Sequence, residues 1–311
     1  MAKIVFMGTP DFAVPSLQKL ITSHEVVGVV TQPDRMAGRG RQLQPSPIKL
    51  AAQAIDVPVY QPDSLRSEES IEPLRQWAPD IIIVAAFGQI LRTPLLNLPP
   101  QGCLNIHASL LPRWRGAAPI QYALLAGDKE TGVSLMRMDK GLDTGPVYAR
   151  QAIPIKADET ASTLHDRLAQ LGARMLDDYL DRILLGELAA EGQDDTLSTY
   201  APMLKKDAGT IDWSQSTAQI DRQIRAMTPW PSAFTTWQGK RLKVLEAEPV
   251  TSDDVPAGEP GRIVIGPGSA VVLTADGGIM IKRLQLAGKR TSAVEAFLRG
   301  QPEFIGSQLP S

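Results

Sequence analysis

The sequence predicts an α/β chain in which a doubly wound, mostly parallel sheet is followed by a small β-barrel, and three observations predict it. Apolar, strand-like runs in the first half alternate with helical or turn-rich stretches, which is the pattern of a parallel sheet covered by helices. At 311 residues the chain exceeds the length over which one hydrophobic core usually keeps growing, so two domains are expected. After a small, acidic and polar stretch at 186–196, five short β-prone runs follow at barrel-like spacing. The first half therefore reads as a Rossmann-like sheet.

The elements follow in order. Residues 4–7 form the first strand, and Gly8-Thr9-Pro10-Asp11 turns the chain without the G-x-G-x-x-G that lets a pyrophosphate approach a helix N-terminus. A nicotinamide dinucleotide is accordingly disfavoured. A helix is read at 12–22, where Phe12, Leu17, Leu20 and Ile21 share a face, and strands at 26–30, 81–85, 103–107 and 133–138. Further helices are read at 118–126 and 162–185, the latter from Leu164, Leu168, Leu171, Met175, Leu176, Tyr179, Leu180 and Ile183. These apolar positions read as core. The stretch 186–196 reads as an exposed linker. The β-prone runs 233–237, 241–245, 262–265, 270–274 and 279–286 are separated by Gly, Pro and Asp. Their spacing suits a barrel of the oligonucleotide-binding type and a structural sandwich equally.

Composition narrows the classes. With 43% hydrophobic and 21% charged residues the chain is neither disordered nor built to cross a bilayer, and its first residues are too short a run for a signal peptide. A cytoplasmic protein is expected. Cys103 is the only cysteine, which excludes an internal disulfide, and the histidines His24, His107 and His165 show no ligand spacing. No metal is expected. The net charge of −2, with 11 Lys and Arg against 10 Asp and Glu from Gly209 onward, makes no global case for nucleic acid, so any such case rests on local clusters.

Chemistry points to Asn105-Ile106-His107, at the end of a strand in the middle of the sheet. Alternation puts Asn105 and His107 on one side, and the carboxyl ends of parallel strands open into a ligand crevice. Asp143, in the loop Asp139-Lys140-Gly141-Leu142-Asp143-Thr144-Gly145 after another strand, is expected at the same rim. An Asn amide and an imidazolium are donors for an oxyanion, and a neighbouring carboxylate favours the charged imidazole and relays protons. A lone Asn-x-His is a short and common pattern, and taken alone these residues read more simply as a core histidine, a turn and a cap. Cys103 lies on the same strand, lacks a paired base, and reads as core.

The run Asn105-Ile106-His107-Ala108-Ser109-Leu110-Leu111-Pro112-Arg113-Trp114-Arg115-Gly116-Ala117-Ala118-Pro119 resembles the defining motif of the 10-formyltetrahydrofolate-dependent formyltransferases. Gly8-Thr9-Pro10-Asp11-Phe12, Ala86-Phe87-Gly88-Gln89 and the stretch from Met138-Asp139 to Gly145 are also similar. The resemblance implies a catalytic trio of Asn105, His107 and Asp143. It implies folate-binding roles for Ser109, Leu110, Leu111, Pro112, Phe87, Gly88, Gln89 and Asp139, with the backbone contributing around residues 87–89.

Within that family, Thr31-Gln32-Pro33-Asp34-Arg35-Met36-Ala37-Gly38-Arg39-Gly40-Arg41 resembles the basic insertion of methionyl-tRNA formyltransferases. Arginines interleaved with glycines suit phosphates and frayed bases, although a charged loop is more often a solvated one. Tyr200-Ala201-Pro202-Met203-Leu204-Lys205-Lys206-Asp207 and Ile211-Asp212-Trp213 resemble that group's linker and the start of its barrel, and Phe297-Leu298-Arg299-Gly300 its tail. Met203 stands where a lysine is expected. The resemblance spans nearly the whole chain.

What it implies is a catalytic domain at 1–189, a linker at 190–208 and a tRNA-binding barrel at 209–311. The enzyme takes 10-formyltetrahydrofolate as co-substrate and initiator methionyl-tRNA as partner, holds the tRNA through Arg35, Arg39, Arg41, Lys205 and Lys206, and works as a monomer away from membranes. Glycinamide-ribonucleotide and sugar-nucleotide formyltransferases and formyltetrahydrofolate hydrolases share the catalytic core, so only the basic loop and the barrel point to tRNA.

Overall fold

The computed structural model describes residues 1–37 and 42–310. Contacts divide the chain into two compact units. The first comprises Met1–Pro119, Glu130–Pro154 and His165–Pro202, and the second Ile120–Lys129, Ile155–Leu164 and Met203–Ser311.

In the first unit a seven-stranded sheet contains β1 (Lys3–Gly8), β2 (Glu25–Val30), β3 (Val59–Tyr60), β4 (Ile81–Ala85), β5 (Cys103–His107), β6 (Glu130–Arg137) and β7 (Val147–Pro154). Their spatial order is β7-β6-β5-β4-β1-β2-β3. The five from β3 to β5 run parallel, and β6 and β7 complete the sheet antiparallel. This is a Rossmann-like core whose order reverses between β1 and β4. Ile4, Val5, Phe6 and Met7 of β1 are fully buried, and all five residues of β4 are buried too, because strands in the middle of a covered sheet have no wet face.

Alternation sorts the faces. Val5, Met7, Ile82, Val84 and Cys103 pack in one cluster with Ile71 and Leu74 of the helix Glu68–Trp77 and with Leu95 and Leu96. Ile106 points the other way, toward Gly172 on the long helix Ala161–Leu184, where an added Cβ would lie 2.7 Å from Ile106 Cγ2. That close approach needs the glycine. It also leaves Asn105 and His107 on the face opposite the helix.

The expected helix at 12–22 is a 3₁₀ turn, Asp11–Ala13, running into Val14–Ser23, and the expected one at 118–126 is Pro119–Ala126. Helices at Pro47–Gln53 and Glu68–Trp77 lie outside the expectations. Both open on serine caps, Ser46 and Ser67, whose hydroxyls accept from Lys49 N and Ser70 N. In the second of them Pro73 interrupts the helical signal.

The second unit carries an antiparallel sheet of β8 (Ala233–Trp237), β9 (Lys240–Thr251), β10 (Ile263–Ile265), β11 (Ala270–Leu273) and β12 (Gly277–Leu286), in the order β8-β9-β12-β11-β10, with Ser292–Ala293 added on β12. β9 outruns the expected 241–245 because it continues through Glu246, Glu248 and Pro249, with register shifts on both sides of Glu246. Such bulges bend a strand and re-aim its side chains, which erases the simple alternation that marks a strand in sequence. A helix at Thr217–Ala226, opened by a capping box between Ser216 and Gln219, buries Ile220 and Ile224 and has no counterpart in the expectations. Trp213 is the largest fully buried side chain here, and Trp237, Phe297 and Phe304 meet edge to face at 5.1–5.6 Å between centroids. Among the described residues no helix is long and apolar enough to cross a membrane.

Candidate active site

Asn105 and His107 occupy the last residues of β5, and Asp143 reaches them by a route that a parallel arrangement would not supply. β6 runs antiparallel to β5, with His107 opposite Ser134 and Leu104 opposite Arg137, so the loop 138–146 starts at the far end of β5 from His107. The loop then turns back, with Arg137 N donating to Pro146 O and Met138 N donating to Cys103 O. Asp143 thereby comes within 3.4 Å of Asn105, whose Nδ2 donates to Oδ1, and its Oδ2 lies 3.7 Å from His107 Nδ1. Gly116 N donates to the same Oδ2 at 2.8 Å.

The tautomer of His107 follows from its other contact. Nε2 lies 3.0 Å from the Trp114 carbonyl oxygen, which only accepts, so Nε2 carries a hydrogen. Nδ1 is then the nitrogen free to gain or give a proton, and it faces the carboxylate. The Asn105 amide holds a second N–H beyond the one on Asp143. Donors and a proton acceptor thus stand around one point.

Three residues here adopt the left-handed backbone region although none is glycine: Ala86 (φ 48°), Trp114 (φ 61°) and Asp143 (φ 54°). Each such conformation costs on the order of 1–3 kcal/mol and survives only when its surroundings over-determine it. For Asp143 those surroundings are visible. Its carbonyl oxygen and that of Gly145 both accept from Gln193 Nε2, at 2.8 and 2.7 Å. Gly145 itself has no room for a Cβ, which would run into the Arg137 carbonyl.

The loop after His107 is pinned from below. Ser109 is fully buried, its hydroxyl donating to Arg113 O at 2.6 Å and its carbonyl accepting from Ser134 Oγ at 2.7 Å. Ser134 Oγ in turn accepts from Leu111 N, and Arg150 Nε donates to Leu111 O. Leu111 is buried with Met136 and Val147, while Leu110 and Pro112 are partly exposed. Phe87 is buried in the core, and its carbonyl accepts from Thr9 Oγ1 and Gln32 Nε2. Gly88 (φ 82°) is exposed beside it. Gln89 spends its amide on Leu65 N and Pro62 O, and Asp139 closes its own turn through Gly141 N and Thr144 Oγ1. Ser109, Gln89 and Asp139 thus make side-chain hydrogen bonds within the protein, Asp139 from an exposed position, while the Phe87 ring is buried.

Cys103 donates weakly to the carbonyls of Leu95 and Leu96, and burial pushes its thiol up to about 12. It stays protonated at neutral pH and is no nucleophile.

Arg35 is exposed, its Nη2 donating to Gln32 Oε1 at 3.1 Å; Arg39 and Arg41 lie outside the described residues. Arg35–Ala37 pairs antiparallel with Gln42–Gln44, and just before it Asp34 takes Gln61 Nε2 at 2.7 Å and Lys49 Nζ at 2.6 Å. The Gln61 amide first, and then the Lys49 ammonium, hold the Asp34 carboxyl below the usual carboxylate range. Lys205, Lys206 and Met203 are all exposed.

The frame that holds the trio includes residues outside the expected set. Arg115 is 2% exposed, and its guanidinium donates to Gln193 Oε1 and, at 2.7 Å, to Asp195. Thr199 accepts from Trp114 N through Oγ1 and from Arg115 N through its carbonyl, and Tyr200–Ala201 pairs in parallel with Arg115–Gly116. Gln193, Asp195 and Thr199 sit in polar, linker-like sequence without periodicity, so no local signal marks them.

Comparisons with known proteins show the family. A family model described as "Formyl transferase" matches residues 2–180, and one described as "Formyl transferase, C-terminal domain" matches residues 203–302. The chain is 50% identical to a methionyl-tRNA formyltransferase of Geobacter sulfurreducens over 96% of its own length and 93% of the relative's. It is 49% identical to one of Geobacter metallireducens over 96% and 95%. Its fold is similar to that of an N-formyltransferase from Helicobacter canadensis in complex with folinic acid and dTDP-3-aminofucose, with a TM-score of 0.68 at 20% identity over 90% of this chain and 98% of that one.

Proposed function

Since the chain belongs to the formyl transferase family, among the methionyl-tRNA formyltransferases, we infer that it transfers the formyl group of 10-formyltetrahydrofolate to the amino group of methionine on initiator methionyl-tRNA. The observation that carries the residue assignment is the meeting of Asn105, His107, the Gly116 N–H and the Asp143 carboxylate within a few ångströms of one another.

The methionine nitrogen attacks the formyl carbon, and the carbonyl electrons move onto oxygen. The free N–H of Asn105, and His107 when Nδ1 is protonated, donate to that oxyanion. Asp143 holds His107 in place and takes up the proton that the attacking nitrogen sheds. Collapse re-forms the carbonyl and breaks the bond to the folate nitrogen, which receives the proton, giving N-formylmethionyl-tRNA and tetrahydrofolate. Leu110, Pro112 and the backbone around Gly88 border the folate in this reading, with Ser109, Leu111, Phe87, Gln89 and Asp139 shaping that border from behind.

The catalytic part is taken as 1–189, joined by 190–208 to a tRNA-holding domain at 209–311. The latter we read as a partly open barrel of the oligonucleotide-binding type, supported by the long β9 and the bulges that bend it. Arg35, Arg39 and Arg41 contact the tRNA from the basic segment that follows Asp34, and Lys205 and Lys206 contact its backbone. With Met203 in the place of a lysine, one such contact is lost. The enzyme acts as a cytoplasmic monomer.

Incubating the protein with charged initiator tRNA and labelled 10-formyltetrahydrofolate is expected to place the label on the methionine nitrogen. A protein that formylates an amino-sugar nucleotide and leaves that tRNA unlabelled would refute the reading. Reversing Arg35, Arg39 and Arg41 together to Glu is expected to raise KM for the tRNA by more than about tenfold at low salt, with folate binding unchanged, since several phosphate contacts change sign. An unchanged tRNA KM would remove the loop from the interface.

A further inference from the structure

We propose that Gln193 is a positioning residue for the reaction, holding Asp143 in its left-handed conformation from a segment that reads in sequence as linker. The contacts admit one orientation of its amide. Nε2 faces two carbonyl oxygens, of Asp143 at 2.8 Å and Gly145 at 2.7 Å, and Oε1 faces two guanidinium nitrogens of Arg115, at 3.1 and 2.9 Å. A carbonyl only accepts and a guanidinium only donates, so a flipped amide would set like against like four times over. Both hydrogens and both lone pairs of the amide are used.

The anchor behind it is firm. Arg115 is 2% exposed and is the residue next to Gly116, whose N–H holds the Asp143 carboxylate. Gln193 therefore closes a ring: Arg115 to Gln193, Gln193 to the Asp143 and Gly145 carbonyls, and Asp143 back to Gly116. Within this ring the Asp143 side chain is gripped by Gly116 and Asn105 and its backbone carbonyl by Gln193. That carbonyl grip adds to the side-chain contacts in opposing relaxation of the positive φ at Asp143. A shift of about 1 Å in a catalytic group is enough to cost roughly 10²-fold in rate.

The inference rests on the role given to Asp143 above, and the test separates the two. In the full-length enzyme, Gln193→Ala and Gln193→Glu are each expected to lower kcat by roughly 10- to 100-fold, with KM for folate and for tRNA changed less than about twofold. Glu keeps the size and the acceptor for Arg115 but, when ionised, has no hydrogen for the two carbonyls, so its failure isolates the donor function. In an Asp143→Ala background, Gln193→Ala is expected to leave the residual rate unchanged, because the two residues act as one unit. Equal fold losses in both backgrounds, a Gln193→Glu enzyme as active as the parent, or activity lost only together with the folded far-UV spectrum would overturn the proposal. If Asp143→Ala alone keeps full activity, the reading of Asp143 fails first, and the proposal falls with it.

Discussion

Replacing Asp143 by Ala is expected to lower kcat by a factor on the order of 10²–10⁴, the range typical for removing a positioned acid or base, while KM for either substrate stays within about threefold. The carboxylate has three partners in the folded enzyme: Asn105 Nδ2 on Oδ1, and Gly116 N and His107 Nδ1 on Oδ2. Losing it frees the Asn105 amide to rotate, strips His107 of its charge partner and removes the acceptor for the departing amine proton. Asp143→Asn is expected to do no better than Ala. Toward Gly116 N the new NH2 meets another N–H, and toward Asn105 it draws that amide's oxygen inward and turns its donor away from the reacting centre. Steady-state kinetics with initiator methionyl-tRNA and 10-formyltetrahydrofolate measure this directly. An Asp143→Asn enzyme with kcat near the parent's would mean that the charge of Asp143 is not used.

Trp213→Ala is expected to produce the largest loss of stability, roughly 3–5 kcal/mol, and to do so in the second unit. Trp213 is fully buried there, with its Nε1 near Thr235 Oγ1 at 3.5 Å, a length at which the hydrogen bond adds little to the packing. A loss of that size is a large fraction of what a domain of ordinary stability possesses. Calorimetry is expected to resolve a transition at lower temperature, and warming through it is expected to raise KM for the tRNA while calorimetric binding of the folate persists. Trp213→Phe, which keeps most of the apolar volume, is expected to restore most of the stability. Unimpaired tRNA binding by a protein whose second unit has melted would end the assignment of tRNA to residues 209–311.

The sheet was legible where its strands are short, continuous apolar runs, as at 4–7 and 81–85, which suit strands buried on both faces, while 103–107 keeps its polar Asn105 and His107 on one side of an otherwise apolar strand. Two strands were less legible. β7 (Val147–Pro154) is mostly exposed or half exposed, and β9 (Lys240–Thr251) carries charges and a proline through its bulges, so neither shows the clean period of a half-buried strand. The helix Thr217–Ala226 is short and mostly polar, with Ile220, Ile224 and Ala226 as its buried residues, so few apolar positions mark it in the sequence.

At the site, alternation alone puts Asn105 and His107 on one face, and that much belongs to the sequence. The arrival of Asp143 does not, because it depends on β6 running antiparallel and on a loop that doubles back, and strand direction is decided by pairing partners distant in the chain. The same holds for Gln193 and Thr199, polar residues in an unpatterned stretch whose roles exist only once Arg115 and Trp114 are beside them. Sequence by itself determined the chemical inventory, the asparagine, imidazole and carboxylate of formyl transfer, since these are properties of side chains. Only the tertiary structure decided the tautomer of the imidazole and the spacing and restraint of all three, because a hydrogen bond between residues 38 or 50 apart in the chain is a fact about folding and leaves no local mark.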